Sequence, residues 1–286
     1  MQKIYVNLCV LLVILLTGCK TTIEHVVPSP PLGNFQFDDV GVHKFKSKSR
    51  NYDGDAFANA LAQRIQEYGY VNENKNSFNH VVGQISASRL ETDNWRKEYE
   101  GKKGTTYTYY YRVKQTLNVT FSVVRGNNTY VSDTLSFDYN KKFSSYESYS
   151  DAKEDVPSAE KISNKLMQKA AKEIAKYISP YPTKQKIKLL DGSDDNIGLG
   201  NDYVEKKRYQ QAFAIYEQIA NQAKSGEDQA IAIHNQGMVR LIEGRYKDSF
   251  DLVANANRID PRNMEILDAL VLVEKLKIKS DQMKGF

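Results

Sequence analysis

An alternation of apolar and polar residues from Tyr107 to Tyr139 is the longest regular pattern in the chain, and it predicts a β-hairpin. From Tyr107 to Val123 the odd positions are aromatic or aliphatic apart from Gln115, and the even positions are mostly polar. A period of two over this length is typical of a strand with one face on a core. Turn-forming residues at 126–128 and a second alternating stretch after them complete the hairpin.

Two stretches with helical periodicity flank the hairpin, and each ends at a clear stop signal. Residues 56–68 carry apolar side chains at three- and four-residue spacing, and Gly69 follows where a C-terminal glycine belongs. Residues 157–178 repeat the pattern and end just before Pro180. Each stretch predicts an amphipathic helix.

The other apolar stretches of this region are short and partly alternating, as strands are. They lie at residues 35–45, 81–87 and 187–189, and we expect the last of them to close the domain. The order of strand, helix, strands, hairpin and helix predicts an α+β (α/β) sandwich over residues 35–190. In this arrangement the helices pack on a mostly antiparallel sheet.

An internal repeat begins after the polar stretch at residues 191–196, which predicts a domain boundary. Gly200, Tyr209 and Ala212 of the first copy are matched 37 residues later by Gly237, Tyr246 and Ser249. Small residues at such positions let paired helices approach each other closely. Residues 191–286 are therefore predicted to form an all-α domain of helical pairs, capped by a last helix at about 262–280.

The repeat resembles the tetratricopeptide (TPR) pattern, in which the first helices of each pair line a concave groove. The resemblance implies that the groove binds extended peptides or proteins. By it, Asn201, His234, Asn235 and Met238 would line the groove. Because two full repeats make only a shallow groove, packing against the α/β domain or a second subunit is an equal alternative.

The first twenty residues have the layout of an export signal. One positive charge, at Lys3, precedes an apolar stretch from Ile4 to Leu16, which is too short to span a bilayer as a helix. The junction Leu16-Thr17-Gly18-Cys19 resembles the lipobox of bacterial lipoproteins. The resemblance implies that residues 1–18 are removed as a signal peptide and that the thiol of Cys19 is acylated; the alternative is an ordinary signal peptide.

The residues after the cysteine predict the location of the protein in the cell envelope. By resemblance to Gram-negative lipoproteins, Lys20 favours export to the outer membrane, with the chain facing the periplasm. Two or three acyl chains suffice for stable attachment to a membrane. Residues 19–34 are polar and rich in proline, so we predict a semi-rigid tether between membrane and folded part.

Composition argues against most enzymes and against a dedicated nucleic-acid binder. The 40 basic and 35 acidic residues leave a net charge of +5 that is spread along the chain rather than concentrated. The two cysteines, Cys9 and Cys19, both precede the folded part, and the four histidines are scattered. Nucleophile-elbow, P-loop, Rossmann and HExxH patterns are absent from the sequence. We therefore expect no enzymatic activity, no cofactor and no metal.

One segment before the hairpin breaks the alternation and combines charge with aromatic residues. Charges accumulate between Leu90 and Gly104, and aromatic residues lie among them and just beyond them. The candidate contact residues are Trp95, Tyr99, Tyr107, Tyr109 and Tyr111. One interpretation is an exposed hairpin arm that contacts a partner protein or a glycan. The other is a strand end with cross-strand aromatic pairs, which are common in sheets.

The pattern over residues 35–190 resembles a domain found in several envelope lipoproteins. These are the curli-secretion channel lipoprotein, the N-terminal domain of TolB and the outer-membrane activators of penicillin-binding proteins. The resemblance implies a non-enzymatic binding or assembly module that contacts an envelope protein. The alternative is a subunit of a homo-oligomeric secretion channel, in which the hairpin at 107–139 would form the wall.

Overall fold

The computed structural model describes residues 21–284, with the exception of 34–36, 103 and 224. The predicted signal peptide, the lipobox and Cys19 lie outside the described residues. The described chain forms two compact units, residues 30–181 and residues 21–29 together with 182–284. None of the helices in these ranges combines the length and the hydropathy that crossing a membrane requires.

The first two thirds of the chain contain both strands and helices, and the last third is helical. In chain order they are β1 (Thr22–Ser29), β2 (Asp39–Val42), β3 (Lys46–Ser47), α1 (Gly54–Tyr68), β4 (Asn72–Glu73), β5 (Asn79–Ala87), β6 (Glu91–Gly101), β7 (Gly104–Arg125), β8 (Asn128–Ser145), α2 (Tyr149–Glu154), α3 (Ala159–Ile178), β9 (Tyr181–Lys188), α4 (Asp195–Glu205), α5 (Tyr209–Gln222), α6 (Gly226–Ile242), α7 (Tyr246–Ile259) and α8 (Met264–Gln282).

The first unit is a mixed sheet covered by helices on one face. Its strands follow the order β4-β2-β5-β7-β6, with β8 also paired to β7 and β3 to β5. The long pairings of β7 with β5, β6 and β8 are antiparallel, and the short pairings of β2 and β3 with β5 are parallel. The predicted mixed α and β content, the hairpin and the largely antiparallel sheet are confirmed.

The apolar face of β7 supplies the centre of the first core. Val113, Leu117 and Phe121 are fully buried beneath α1 and α3. The side chain of Asp53 caps α1 at its start, and Gly69 ends it with a φ of +75°, a conformation that glycine adopts without strain. In this unit, the elements that the local sequence signals predict are therefore the ones whose apolar faces are buried.

The second unit joins a two-stranded sheet to five helices. Strand β1 pairs with β9, and Val27, Ile187 and Leu189 from these strands and the segment after them are buried in the same core as the helices. The prediction of a tether over 19–34 is therefore wrong for residues 22–29. Alternating burial at Ile23, His25 and Val27 makes this stretch a strand, since Pro28 is tolerated in an edge position.

The boundary between the units also differs from the predicted one. Strand β9 was expected to close the α/β domain, with the boundary at residue 191, but it belongs to the helical unit from Pro182 onward. The reason is that the apolar residues Ile187 and Leu189 find their partners on the helices rather than on the large sheet. A short alternating stretch predicts a strand but not the layer on which it packs.

The helical pairs α4–α5 and α6–α7 correspond to the two copies of the sequence repeat, and α8 follows them. Small residues allow the two helices of each pair to approach each other closely, as the repeat predicts. A Cβ on Gly200 would lie 2.4 Å from the ring of Tyr216, and one on Gly237 would lie 2.6 Å from Val253 Cγ2. Glycine is required at both places because any larger side chain would displace a buried neighbour.

We expect the Gly200→Ala variant to lose about 2 kcal/mol of unfolding free energy, because the added methyl group overpacks against the fully buried Tyr216 ring. Gly198 of the same helix has open space around its Cβ position, so Gly198→Ala is the matched control. In this control, the higher helix propensity of alanine should raise the free energy of unfolding by about 1 kcal/mol. Urea denaturation followed by circular dichroism measures both, and equal effects of the two substitutions would contradict the packing argument.

Candidate functional site

The charged aromatic segment forms part of a three-stranded extension of the sheet, which we call the aromatic arm. It consists of β6, residues 104–115 of β7 and residues 139–145 of β8. Threonines, tyrosines and valine dominate this part of β7, and such residues favour extended backbone. The register pairs Trp95 with Tyr110 and Glu98 with Tyr107.

One face of the arm carries a cross-strand stack of aromatic rings between two cations. The rings of Trp95 and Tyr110 lie 5.3 Å apart and are nearly parallel, at 19°. The guanidinium of Arg112 lies 5.3 Å from the Trp95 ring, and Lys142 Nζ lies 4.6 Å from the Tyr110 ring. Aromatic and cation–π contacts of this kind hold half-buried surface rings in one arrangement.

Charged and polar groups surround this stack. The Arg112 guanidinium donates to the Asp93 carboxylate, with Nε 3.1 Å from Oδ2, and this hydrogen bond lowers the pKa of Asp93. Lys97 lies on the same face without an ion pair among the described residues, so the face is basic on balance. The hydroxyl of Tyr99 lies 3.4 Å from that of Tyr110, and this hydrogen bond raises the pKa of Tyr99.

The other predicted tyrosines lie on the opposite face and contact the protein itself. The Arg96 guanidinium lies 4.8 Å from the Tyr107 ring. Tyr109 meets the ring of Tyr149 edge to face at 5.0 Å, and Tyr111 packs against the first core. Cross-strand aromatic pairs are present, as the second interpretation predicts. Tyr99 is 49% exposed, and contact of the segment with a partner stays a prediction.

Tyr110 belongs to the stack but was missed among the candidate residues. It occupies an even position of the strand, among residues that the alternation assigns to the polar face. The register of β6 on β7 places it opposite Trp95, and that register is not evident from the sequence. An aromatic residue on the polar face of an alternating strand is the signal that could have found it.

The outer edges of the arm are open. Within the described residues, β6 and β8 each pair only with β7. An unpaired edge offers backbone N–H and C=O groups to another strand. In β6, however, charged residues of both signs follow one another from Glu91 to Glu100, which discourages pairing with an unspecific partner.

The prediction of an open groove at Asn201, His234, Asn235 and Met238 is wrong. All four side chains are at most 3% exposed. Leu190, just after β9, contacts Asn201 and Asn235, and Lys188 at the end of β9 contacts His234. Asn235 accepts a hydrogen bond from the backbone N–H of Leu190 at 2.9 Å and donates to its carbonyl at 2.8 Å. The amide groups at these positions bind the protein's own backbone rather than an external peptide.

The other members of this set extend the same network. Asn201 Nδ2 lies 2.7 Å from Asp191 Oδ1, and the Tyr216 hydroxyl donates to Asn201 Oδ1 at 2.6 Å. His234 Nε2 lies 3.2 Å from the Lys188 carbonyl oxygen, and burial lowers the pKa of His234 to about 4. Met238 and His234 also line a small cavity of about 130 Å³ next to α8.

His43, which directly follows β2, and His80 of β5 form a contact that the sequence does not predict. His43 Nε2 lies 2.7 Å from His80 Nδ1, since β2 and β5 run parallel beside each other. In the described ranges, no group of three or more His, Cys, Asp or Glu side chains is placed so that it could hold a metal ion.

Comparison with known proteins gives only distant structural matches. No family model and no curated protein matches the sequence. A PelC dodecamer from Paraburkholderia phytofirmans is 12% identical, with 55% of this chain and 99% of that chain covered at a TM-score of 0.28. A minor lipoprotein from Acinetobacter baumannii is 13% identical, with 51% and 98% covered at a TM-score of 0.27. At these values the comparison assigns the chain to no family.

Proposed function

We propose that this chain is a lipid-anchored protein of the bacterial outer membrane that acts as a non-enzymatic binding or assembly module. The aromatic arm is the surface that holds its protein partner. The observation that carries the proposal is the half-buried stack of Trp95 and Tyr110 between Arg112 and Lys142, with the exposed Tyr99 beside it. The lipobox ending at Cys19 supports the anchor.

The chemistry of the arm is that of a protein interface. Tryptophan, tyrosine and arginine are enriched where interfaces concentrate their binding energy. The stack and the Asp93–Arg112 ion pair already hold these side chains in place, so binding costs little side-chain entropy. The open edges of β6 and β8 add backbone groups that can extend the sheet into a partner.

A second candidate function is a subunit of an oligomeric secretion channel, and the same open edges favour it, because copies can join through them. The packing of the hairpin favours the binding module instead. The apolar face of β7 is covered by α1 and α3. The opposite face carries hydroxyl pairs such as Thr120–Thr134 and Ser122–Ser132, both at 2.9 Å, and is polar.

Crosslinking in cells tests the arm. A photoreactive amino acid at position 97 or 99 should crosslink one and the same envelope protein, and one at the exposed Phe78 should not. Replacing Trp95 and Tyr110 together with alanine should reduce that crosslink about tenfold, since it removes the centre of the interface. Phe78→Ala is the control, because Phe78 is 79% exposed and precedes β5 at the opposite end of β7.

The outcomes separate the two candidates. Crosslinks that join only copies of this chain would support the channel subunit and overturn the binding module. An unchanged crosslink in the double variant would show that the arm is not the interface. The anchor is tested separately, because Cys19→Ser should leave the precursor uncleaved and without acyl chains in mass spectrometry.

A further inference from the structure

Helix α8 carries apolar side chains on the face turned away from the rest of the helical unit. Its inner face is formed by Ile266, Val273 and Leu276, which belong to the second core and are at most 2% exposed. On the outer face, four large apolar side chains are between 36% and 63% exposed. These are Met264, Leu267, Val271 and Ile278. Scattered apolar residues are common on protein surfaces, but a row of them on one helix face is typical of a contact surface.

The spacing of these four residues is that of a helix that packs along a second helix. They follow one another at intervals of three, four and seven residues, which places them in a line along the helix. We call this line the α8 seam. Only its longest interval, which contains Glu274 and Lys275, is polar. At 1.5 Å per residue, the seam extends over about 21 Å.

The helices α4 and α6 differ from α8, because the helix that follows each of them packs closely against it. Gly200 of α4 lies against the ring of Tyr216 in α5, and Gly237 of α6 lies against Val253 in α7. No element of the described residues covers the seam of α8 in this way. Since a stack of helical pairs needs a polar outer face at its end to stay soluble, the seam indicates a missing partner.

The charges along α8 indicate which partner fits. The first ten residues of the helix carry two carboxylates, at Glu265 and Asp268, and no cation. The remaining nine carry three lysines and two carboxylates. Two copies of α8 in antiparallel orientation therefore place the acidic end of each helix beside the basic end of the other. They also place opposite ends of the two helix dipoles together, whereas a parallel pair would bring like charges together.

One pair of charges beside the seam is complementary to itself. Asp268 and Lys275 are exposed, lie seven residues apart on the same side of the seam, and form no ion pair within the described part of the chain. In an antiparallel pair with its two-fold axis next to Val271, Asp268 of one copy faces Lys275 of the other. The symmetry makes this contact twice. The same register places Met264 of one copy beside Ile278 of the other.

We propose that α8 is the contact surface of a symmetric dimer, in which the α8 helices of two copies pack antiparallel along the seam. A two-fold interface must be complementary to itself, and both the seam and its charges meet this condition. An anionic membrane surface fits less well, because the exposed carboxylates of Asp268, Glu274 and Asp281 lie on the outer side of the helix. The inference rests on the helical unit and does not depend on the partner of the aromatic arm.

Disulfide crosslinking of the full chain in isolated membranes tests the arrangement. Val271→Cys should form disulfide-linked dimers on mild oxidation, since Val271 lies at the two-fold axis. Met264→Cys and Ile278→Cys should form dimers when both are present in one chain but not singly, because each lies about 20 Å from its own copy in an antiparallel pair. Leu199→Cys, at a 47% exposed position of α4, is the control, and the unsubstituted chain gives the background from Cys9 and Cys19.

An exchange of charges tests how the two copies recognise each other. With Val271→Cys as the reporter, Asp268→Lys should reduce the dimer fraction about fivefold, because it places like charges opposite each other twice. Addition of Lys275→Asp should restore the dimer. Both residues are exposed, so neither substitution removes a core contact.

Three outcomes would overturn the proposal. Dimers of Met264→Cys alone would show a parallel arrangement, and failure of Lys275→Asp to restore the dimer would show that the charges do not set the contact. The third is a Val271→Cys chain that forms no more dimer than Leu199→Cys. If that cysteine is also protected from a water-soluble maleimide, lipid or a different protein covers the seam.

Discussion

Replacing Asn235 with alanine is expected to lower the free energy of unfolding of the helical unit by roughly 4 kcal/mol. The side chain is fully buried and satisfies both the N–H and the carbonyl of Leu190, and its Nδ2 also lies 3.2 Å from Asn201 Oδ1. Alanine leaves the buried N–H of Leu190 without a partner, which costs about 1–3 kcal/mol. The lost hydrogen bond to the Leu190 carbonyl, which keeps only the longer contact with Asn201 Nδ2 at 3.4 Å, and the space left by the side chain add to this cost. The segment from Lys188 to Asp191 should then detach from the helices.

Urea denaturation followed by the helical circular dichroism signal measures this loss. Trp95, the single tryptophan of the sequence, lies in the first unit. Tryptophan fluorescence therefore follows the unfolding of the first unit and acts as an internal control. Asn221→Ala is the matched variant, because Asn221 is an exposed residue of α5. If Asn235→Ala cost no more than Asn221→Ala, the network would not be holding the segment.

Acidification should destabilise the same unit through His234. Burial lowers its pKa in the folded state to about 4, against about 6.5 in the unfolded chain. A lowered folded pKa means that the unfolded state binds more protons between these values. The contribution is therefore complete above pH 6.5 and is lost as the pH falls toward 4, and the loss amounts to about 3 kcal/mol.

The pH dependence of the urea midpoint tests this, with His234→Gln as the variant that does not titrate. Glutamine keeps a donor for the Lys188 carbonyl, so its stability should fall less between pH 7 and pH 4. Burial also lowers the pKa of His25 in β1, so both proteins are compared in a His25→Gln background. Parallel pH profiles for the two proteins would show that His234 is already accessible in the folded state.

Local signals along the chain were sufficient for most elements of the fold. The alternation in β7 and β8, the helical spacing in α1 and α3, and the glycine after α1 each act within a few residues. The repeat likewise predicted where small residues bring helices together, as at Gly200 and Gly237. Such signals are readable because they depend on period and backbone conformation, which are properties of neighbouring residues.

Contacts between residues that are distant in the sequence could not be predicted from such local signals. Residues 22–29 looked like a tether because proline and polar residues dominate them, yet pairing with β9, more than 150 residues away, makes them a strand. Trp95 was a candidate and Tyr110 was not, although the two rings stack. Apolar residues lie on both sides of α8, and only the packing shows that Val271 is exposed while Val273 is buried.

The sequence by itself therefore determined the periodic elements, the α+β content and the helical repeat, whereas the lipobox ending at Cys19 stays a prediction. Only the tertiary structure decided that Asn201, His234 and Asn235 bind the protein's own backbone and that Met238 is buried. The physical reason is that polarity and spacing are local, whereas burial depends on what the rest of the chain places over a residue. The sequence pattern around a polar residue of a helix is the same whether a ligand or another part of the chain covers its side chain.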